Sequence, residues 1–260
     1  MKLLTMDVGN THIVVGLYNG EQLIGKWRIS TDTHRTEDEY FHIIHSFLDD
    51  INVKREDIKG FIVSNVVPSL DYVLHRMSEK YLGVKPFFIS SEKVPWVTWN
   101  VKNEEEIGAD RVANVCGGYE KYGKNVIIID FGTAITFDVL AKGKFEGGLI
   151  LPGIGISFES LFMKAAKLPM VEFYIPSEVI GKDTIANIQS GISRLYMHGI
   201  TGIINDIFAR YDIDFSVVTT GGFGRIFANK CDNIDSYDPD ITLFGLYTAY
   251  VKADQGDEKN

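Results

Sequence analysis

The chain has 260 residues, 45% of them hydrophobic and 23% charged, which suits one large globular domain or two modest ones. The formal net charge of −9 argues against a nucleic-acid partner, because phosphate backbones attract basic surfaces, but it leaves a local nucleotide site open. Two cysteines, no leader-like N-terminus and no apolar run of about 20 residues predict a cytoplasmic protein with reduced thiols and no membrane contact.

The first half is predicted to alternate strands and helices. Its opening hairpin and third strand lie at Leu3–Asp7, Ile13–Tyr18 and Gln22–Ile29. Thr36 and Glu39 form a capping box, behind which apolar residues keep helical spacing. After a buried strand at Phe61–Val63, Pro68 is predicted to open another helix that reaches Tyr81.

The second half repeats this order. Its hairpin and third strand lie at Val126–Ile129, Ile135–Leu140 and Lys144–Ile150. A long helix follows an N-cap at Asp183, and then come a strand at Phe215–Val218 and a last helix over about Asp240–Lys252. The polar tail, Asp254–Asn260, is predicted to fray. A connecting helix between the halves carries Val112, Val115 and Tyr119.

Hairpin strands followed by a helix and a parallel strand, done twice, predict an α/β fold with mixed central sheets flanked by helices. A constant offset of 123 residues separates Asp7 from Asp130, Gly9 from Gly132 and Gly20 from Gly143. Because strand, turn and closing glycine all match, the pattern indicates a duplicated fold.

The two Asp-x-Gly turns are candidate phosphate sites. Glycine lets backbone approach a ligand, and Asn10 and Thr11 offer donors to phosphate oxygens. Asp7 could accept from the waters of a Mg²⁺ ion. The alternative is an ordinary hairpin turn, in which Asp, Asn and Gly are the commonest residues. The second copy at Asp130–Thr133 and a third glycine element, Gly221-Gly222, favour a nucleotide site.

Three other glycine-bearing segments could each have either a functional or a purely structural role. In Gly108-Ala109-Asp110-Arg111, Asp110 could be a general base and Arg111 an anion clamp, or Asp110 could cap a helix. The run Gly147–Gly153 could mark a ligand's close approach or a bulge. Gly181–Thr184 could bind an anion or only cap the long helix. Within that helix, three glycines suggest close helix packing, possible across a dimer axis: Gly191, Gly199 and Gly202.

Several further patterns do not qualify as sites. The Walker-like run from Gly20 to Lys26 has Trp27 in place of Ser or Thr and lies in a predicted strand. No His or Cys cluster has zinc spacing. His12 follows the first turn, and strand alternation predicts a structural role for it.

Together, Asp7–Thr11, Gly108–Arg111, Asp130-x-Gly132-Thr133, Gly147–Gly153 and Thr220–Gly222 resemble type III pantothenate kinases, of the acetate and sugar kinase/Hsp70/actin superfamily. The resemblance runs from Lys2 to about Tyr250. It implies duplicated ribonuclease H-like (actin-like ATPase) domains, with an N-terminal half at 1–115, a C-terminal half at 116–260 and the ATP cleft between them. It also implies ATP-dependent phosphorylation of pantothenate to 4′-phosphopantothenate, the first step of coenzyme A biosynthesis, by a cytoplasmic homodimer.

The resemblance also implies individual roles. Asp110 is the proton acceptor, Asp7 binds Mg²⁺ through water and Asp130 binds a monovalent cation, K⁺ or NH₄⁺. The residues implied to bind ATP are Asp7, Val8, Gly9, Asn10, Thr11, His12, Ile13, Val14, Thr133, Gly221 and Gly222. The residues implied to bind pantothenate are Gly108, Ala109, Asp110, Arg111 and Thr184.

One position departs from the family pattern. Val101 stands where many relatives place a Tyr against pantothenate, so a hydroxyl contact is lost, and Trp99 is the nearby candidate to replace it. Two other functions stay open at this point: a kinase of the same superfamily with another small substrate, and a regulatory protein that kept the fold without catalysis. The three aspartates Asp7, Asp110 and Asp130 speak against the second.

Overall fold

The computed structural model describes residues 1–165 and 168–257, which form two compact units. The first unit is Met1–Lys121 with the chain from Asp240 onward, and the second is Tyr122–Pro239. The units differ from the predicted halves in two respects. The connecting helix stays with the first unit, and the last helix returns to it.

The first unit contains a five-stranded mixed sheet. Its elements before the unit boundary are β1 (Lys2–Val8), β2 (His12–Asn19), β3 (Gln22–Ser30), α1 (Glu37–Asp50), β4 (Ile58–Asn65), α2 (Asp71–Met77), β5 (Phe87–Phe88), β6 (Thr98–Trp99) and α3 (Ala109–Tyr122). The sheet order is β3-β2-β1-β4-β5, with β1 antiparallel to β2 and parallel to β4. The predicted hairpin, third strand and parallel strand are therefore confirmed.

Alternation along the strands separates one face, which packs in the core cluster, from a second face, part of which the last helix covers. Leu4, Met6 and Val8 of β1 are buried in the core cluster with alternate residues of β2 and residues of α1 and α2. Asp7 points to the opposite face of β1, whereas its sequence neighbours Met6 and Val8 point into the core. The register of the hairpin is therefore fixed by burial, because a one-residue slip would bring Asp7 into the core.

The predicted capping box at the start of α1 is confirmed. The Glu39 N–H donates to Thr36 Oγ1 at 3.4 Å, and the Thr36 N–H donates to Glu39 Oε2 at 2.8 Å. The helix predicted from Pro68 to Tyr81 is less regular than expected. It begins as a 3₁₀ turn at Pro68–Leu70 and ends in a π turn at Ser78–Leu82.

The second unit also contains a mixed sheet. Its elements are β7 (Val126–Phe131), β8 (Ala134–Ala141), β9 (Lys144–Pro152), α4 (Ile154–Lys164), α5 (Thr184–Arg210), β10 (Ser216–Gly221), α6 (Gly224–Ala228) and β11 (Ser236–Tyr237). Within this unit the strand order is β11-β10-β7-β8-β9. The predicted hairpin, long helix and parallel strand are confirmed, whereas α4 and α6 were not predicted.

The structure contains the predicted strand-turn-strand repeat, but the spacing between equivalent residues of the two copies changes inside the turn. β7 follows β1 by 123 residues at their ends, whereas β8 and β9 follow β2 and β3 by 122. Three residues connect β1 to β2, and two connect β7 to β8. Gly20 is therefore the first residue of its hairpin loop and Gly143 the second of its own. The prediction that these glycines are equivalent is wrong, because the shorter second turn shifts everything after it by one residue.

The last helix, α7 (Ile241–Asp257), packs on the first sheet. Tyr247 of α7 stacks on Tyr18 of β2 with ring centroids 4.6 Å apart, and Thr242 Oγ1 donates to Asn114 Oδ1 of α3 at 2.7 Å. The helix extends to Asp257, so the predicted fraying from Asp254 is wrong as far as the described residues reach. In the described ranges no helix is long and apolar enough to cross a membrane.

Candidate functional site

Thr31 stabilises the first Asp-x-Gly turn through two hydrogen bonds. The Thr31 Oγ1 donates to the Gly9 carbonyl at 2.6 Å, and the Thr31 N–H donates to the Thr11 carbonyl at 3.0 Å. The Gly9 N–H donates across the turn to the His12 carbonyl at 3.0 Å. Asn10 and Thr11 are exposed, so their side chains are accessible to a ligand. Sequence reasoning missed Thr31, whose equivalent in the second repeat, 122 residues later, is Gly153 and offers no matching side chain.

Asp7 lies one residue before the end of β1, on the face of the first sheet opposite to the core cluster. Its neighbours in register are Val14 on β2 and Ser64 on β4, and its side chain is half-buried. A strand-end carboxylate beside an exposed polar turn is suited to accept hydrogen bonds from the water shell of a magnesium ion.

The structure brings the Gly108–Arg111 motif to this same strand end. The Val66 N–H donates to the Val8 carbonyl at 3.0 Å, directly behind the turn. A Cβ on Gly108 would lie 3.8 Å from Val66 Cγ1 and only 2.5 Å from Asp110 Oδ1. A side chain at position 108 would therefore press on the Asp110 carboxylate. Two motifs that lie a hundred residues apart in sequence are thus joined through Val66 within the first unit.

Asp110 occupies the first turn of α3 and does not cap it. α3 begins at Ala109, and the Val112 N–H donates to the Gly108 carbonyl at 3.0 Å, so the N-cap alternative for Asp110 is wrong. Burial raises the pKa of the Asp110 carboxyl, and the Arg111 N–H, which donates to Oδ1 at 2.8 Å, opposes that rise together with the Arg111 charge. A carboxylate with a raised pKa is a better proton acceptor than an ordinary surface aspartate.

The second unit assembles Asp130 with the Gly221-Gly222 pair. Asp130 of β7 lies beside Thr220 of β10, and the Gly222 N–H donates to the Phe131 carbonyl at 3.1 Å. Gly221 has a left-handed φ of +77°, and a Cβ there would lie 2.6 Å from Asp130 Oδ1. Any residue larger than glycine at position 221 would therefore crowd this carboxylate oxygen.

Thr133 and the end of the Gly147–Gly153 run also meet. A Cβ on Gly153 would overlap the Thr133 carbonyl, so this glycine is needed for close packing against the chain's own backbone, and the predicted approach of a ligand stays a prediction. The Tyr196 hydroxyl supports this corner by donating to the Pro152 carbonyl at 2.8 Å. Gly147 instead lies at the register shift of β9 with a φ of +96°, so there the bulge alternative is confirmed.

Thr184 is the exposed first residue of α5 in the second unit, whereas Gly108–Arg111 lie in the first. The capping alternative for this segment is confirmed, because Asp183 Oδ1 accepts from the Ala186 N–H at 2.9 Å. In the first unit Trp99 is buried, and its indole N–H donates to the Val94 carbonyl at 3.3 Å. Its polar atom is therefore already bonded inside the fold and does not replace the hydroxyl missing at Val101.

Among the described residues, no three His, Cys, Asp or Glu side chains are grouped to hold a metal ion. Asp7 and Asp130 each offer a single carboxylate. A magnesium ion bound at one carboxylate keeps several waters and takes further oxygens from substrate phosphates, so Asp7 fits that role. Asp130 Oδ1 and the Phe131 carbonyl oxygen each lie 2.6 Å from the position of a Cβ at residue 221, so Gly221 leaves room beside two oxygens, which fits a weakly held monovalent cation.

Comparisons with known proteins identify one family, the type III pantothenate kinases. The family model described as type III pantothenate kinase matches residues 3–206. A type III pantothenate kinase from Exiguobacterium sp. is 41% identical over 251 residues, which cover 96% of this chain and 98% of that protein. One from Geobacillus kaustophilus is 40% identical, with 96% and 97% covered.

Solved structures share the fold at low identity. A Campylobacter jejuni protein described as a Baf family transcriptional activator matches with a TM-score of 0.61 and 19% identity, over 97% of this chain and 99% of that one. A ROK family glucokinase from Streptomyces griseus, solved with glucose and AMPPNP, matches with a TM-score of 0.52 and 12% identity, over 98% and 100%. These likenesses confirm the predicted duplicated ribonuclease H-like fold.

Proposed function

Because the chain belongs to the type III pantothenate kinase family, we propose that it transfers the terminal phosphoryl group of ATP to pantothenate, giving 4′-phosphopantothenate at the start of coenzyme A biosynthesis. The observation that carries the proposal is the seating of Gly108–Arg111 against the strand end behind the Asp7 turn. This joins a candidate proton acceptor to a candidate phosphate turn within one unit.

ATP binding is assigned to exposed backbone and small polar side chains. In the first unit the turn and its flanks, Asp7–Val14, would receive the phosphates, because Asn10 and Thr11 present donors while Thr31 occupies the carbonyls behind them. In the second unit the assigned residues are Thr133, Gly221 and Gly222. Thr133 and Gly222 are exposed and Gly221 is half-buried, so a nucleotide could lie against their backbone.

Asp110 is assigned as the proton acceptor for the primary hydroxyl of pantothenate. Phosphoryl transfer passes through a loose transition state, so the carboxylate orients the hydroxyl and takes its proton late. Burial and the raised pKa suit this role, and Arg111 keeps the carboxylate in place. Gly108–Arg111 and Thr184 are the proposed pantothenate contacts.

Two cations complete the proposal. Mg²⁺ would be held near Asp7 through water and by ATP itself, and K⁺ or NH₄⁺ would be held at Asp130. When bound, they neutralise charge on the phosphates. The protein would offer one carboxylate to each cation, Asp7 in the first unit and Asp130 in the second, and glycine at position 221 keeps a side chain away from Asp130.

We also propose a homodimer that acts in the cytoplasm. The second unit exposes large apolar side chains that its own fold does not cover, among them Ile150, Met163, Met170, Ile180 and Leu195. Gly191, Gly199 and Gly202 lie on the outer surface of α5, where a Cβ at any of them would meet nothing within 4 Å. The close helix packing suggested by these glycines is absent among the described residues of the second unit, and in the proposed dimer a second chain would supply it. Both cysteines are free and buried, as in a reducing compartment.

The test of the kinase activity is ADP release by the purified protein with MgATP and K⁺, measured with and without pantothenate, with the product identified by mass spectrometry. We expect ADP to form only with pantothenate and the product to gain one phosphoryl group. ADP release with sugars but not pantothenate would instead favour another kinase of the superfamily. No ATP turnover with any acceptor would favour the regulatory alternative.

A further inference from the structure

A positively charged side chain, that of Arg28, lies near the first Asp-x-Gly turn and is not part of the family motifs. One terminal guanidinium nitrogen of Arg28 on β3 lies 2.8 Å from Nδ1 and 3.1 Å from Nε2 of His12, the residue that follows the turn. A neutral imidazole has one unprotonated nitrogen, so one of these contacts is the hydrogen bond in which His12 accepts. Burial and the Arg28 charge lower the pKa of His12, which agrees with a neutral, accepting ring.

Arg28 shares a face and a row with Asp7. Arg28 is the register partner of Val14, and Val14 is the register partner of Asp7, so the three side chains project from the same face of the sheet. Neighbouring strands lie about 4.8 Å apart, which places the backbones of Asp7 and Arg28 about 10 Å apart across β2. A carboxylate and a guanidinium therefore flank the turn from the same side of the sheet.

The charge of Arg28 is available to a ligand. In the part of the chain that the structure describes, no carboxylate lies within ion-pair distance of Arg28, and its side chain is exposed. Lys26, two residues earlier on the same face, is by contrast bridged to Asp240 at 2.6 Å. His12 engages one nitrogen of Arg28 and leaves its charge unneutralised, and the planar fork retains further N–H donors.

We propose that Arg28 is a binding residue for the polyphosphate of ATP, held in position by His12. The inference rests on the proposed function, because it takes the Asp7 turn as the phosphate site. A guanidinium fork suits a phosphate better than a lysine does, since it can donate two parallel hydrogen bonds to one phosphoryl group. Asp7 would hold the magnesium ion of MgATP through water, and Arg28 would contact the phosphate chain directly.

The test compares Arg28→Gln and Arg28→Lys with Arg55→Gln, by calorimetric binding of MgATP and of adenosine without pantothenate. Arg55 is a matched control because it is exposed in the same unit and pairs with Glu56. It lies just before β4 begins, at the end of the sheet away from the Asp7 turn. We expect Arg28→Gln to weaken ATP binding about tenfold or more, the usual effect of losing a charge-assisted contact, and to leave adenosine binding unchanged. Arg28→Lys should recover part of the loss, and Arg55→Gln should bind ATP as the wild type does.

Kinetics give a second readout, in which the KM for ATP rises in Arg28→Gln and the KM for pantothenate does not. ATP binding within twofold of the wild type in a folded Arg28→Gln protein would overturn the proposal. Equal losses for ATP and adenosine, or a change confined to the KM for pantothenate, would overturn it too. Because binding is measured without an acceptor, this result stands apart from the proposed function, which fails only if pantothenate-dependent ADP release is absent.

Discussion

Gly221→Ala tests the glycine that keeps the Asp130 carboxylate accessible. The left-handed backbone at φ +77° costs a non-glycine residue about 1–2 kcal/mol. The new Cβ would also lie 2.6 Å from the Phe131 carbonyl carbon and oxygen, main-chain atoms that cannot rotate away, and such crowding costs about 1–3 kcal/mol. Together these predict a loss of about 2–5 kcal/mol in the free energy of unfolding, which corresponds to a Tm lower by roughly 5–15 °C.

Gly222→Ala is the matched stability control, because its Cβ would meet nothing within 4 Å and its φ needs no glycine. Calorimetry of the two variants should show the loss in Gly221→Ala and a change within about 0.5 kcal/mol in Gly222→Ala. Activation by K⁺ should weaken as well in Gly221→Ala, since the Cβ displaces Asp130 Oδ1. A Gly221→Ala protein that melts within a degree of the wild type would refute the close approach of β10 to Asp130.

Three further predictions concern the proposed chemistry. Asp110→Asn should lower kcat by about 10²–10⁴-fold while ATP still binds, and near-normal turnover in this variant would exclude Asp110 as the base. In the wild type, kcat/KM should fall as the pH drops through the raised pKa of Asp110. Replacing K⁺ by Na⁺ should lower wild-type activity sharply in steady-state assays, and indifference to the exchange would count against a cation at Asp130. Thr31→Val should lower the free energy of unfolding by about 0.5–1.5 kcal/mol and raise the KM for ATP, because the Gly9 carbonyl loses its donor, whereas exposed Thr33→Val should change neither.

The raised pKa of Asp110 also has a consequence for stability. A carboxyl whose pKa is higher in the folded state than in the unfolded one stabilises the fold most below its unfolded pKa, and that contribution is lost as the pH rises through the folded value. At neutral pH the ionised, partly buried group therefore costs stability. Chemical denaturation of Asp110→Asn should show a free energy of unfolding equal to or above that of the wild type, since an amide oxygen can still accept from the Arg111 N–H.

Local signals predicted the elements that carry the site. The apolar runs that end in Asp-x-Gly, the capping box at Thr36 and the N-cap at Asp183 each act over a few residues, so each could be recognised without knowing the fold. The helices α4 and α6 escaped prediction because neither has a side-chain N-cap and α6 is only five residues long. The equivalence of Gly20 and Gly143 failed because an equal spacing of identical residues conceals a one-residue difference in the turn between them.

The sequence by itself determined the repeated strand-turn-strand units and the family, because alternation, turn chemistry and motif order are written along the chain. Only the tertiary structure decided which motifs meet: Val66 joins Gly108 to the Asp7 turn, β10 brings Gly221 onto Asp130, and α7 returns to the first sheet. Parallel pairing and helix packing bring together residues far apart in sequence, and no local pattern records that distance. The same holds for Arg28, whose position in the same row and on the same sheet face as Asp7 follows from the register of three strands rather than from any motif.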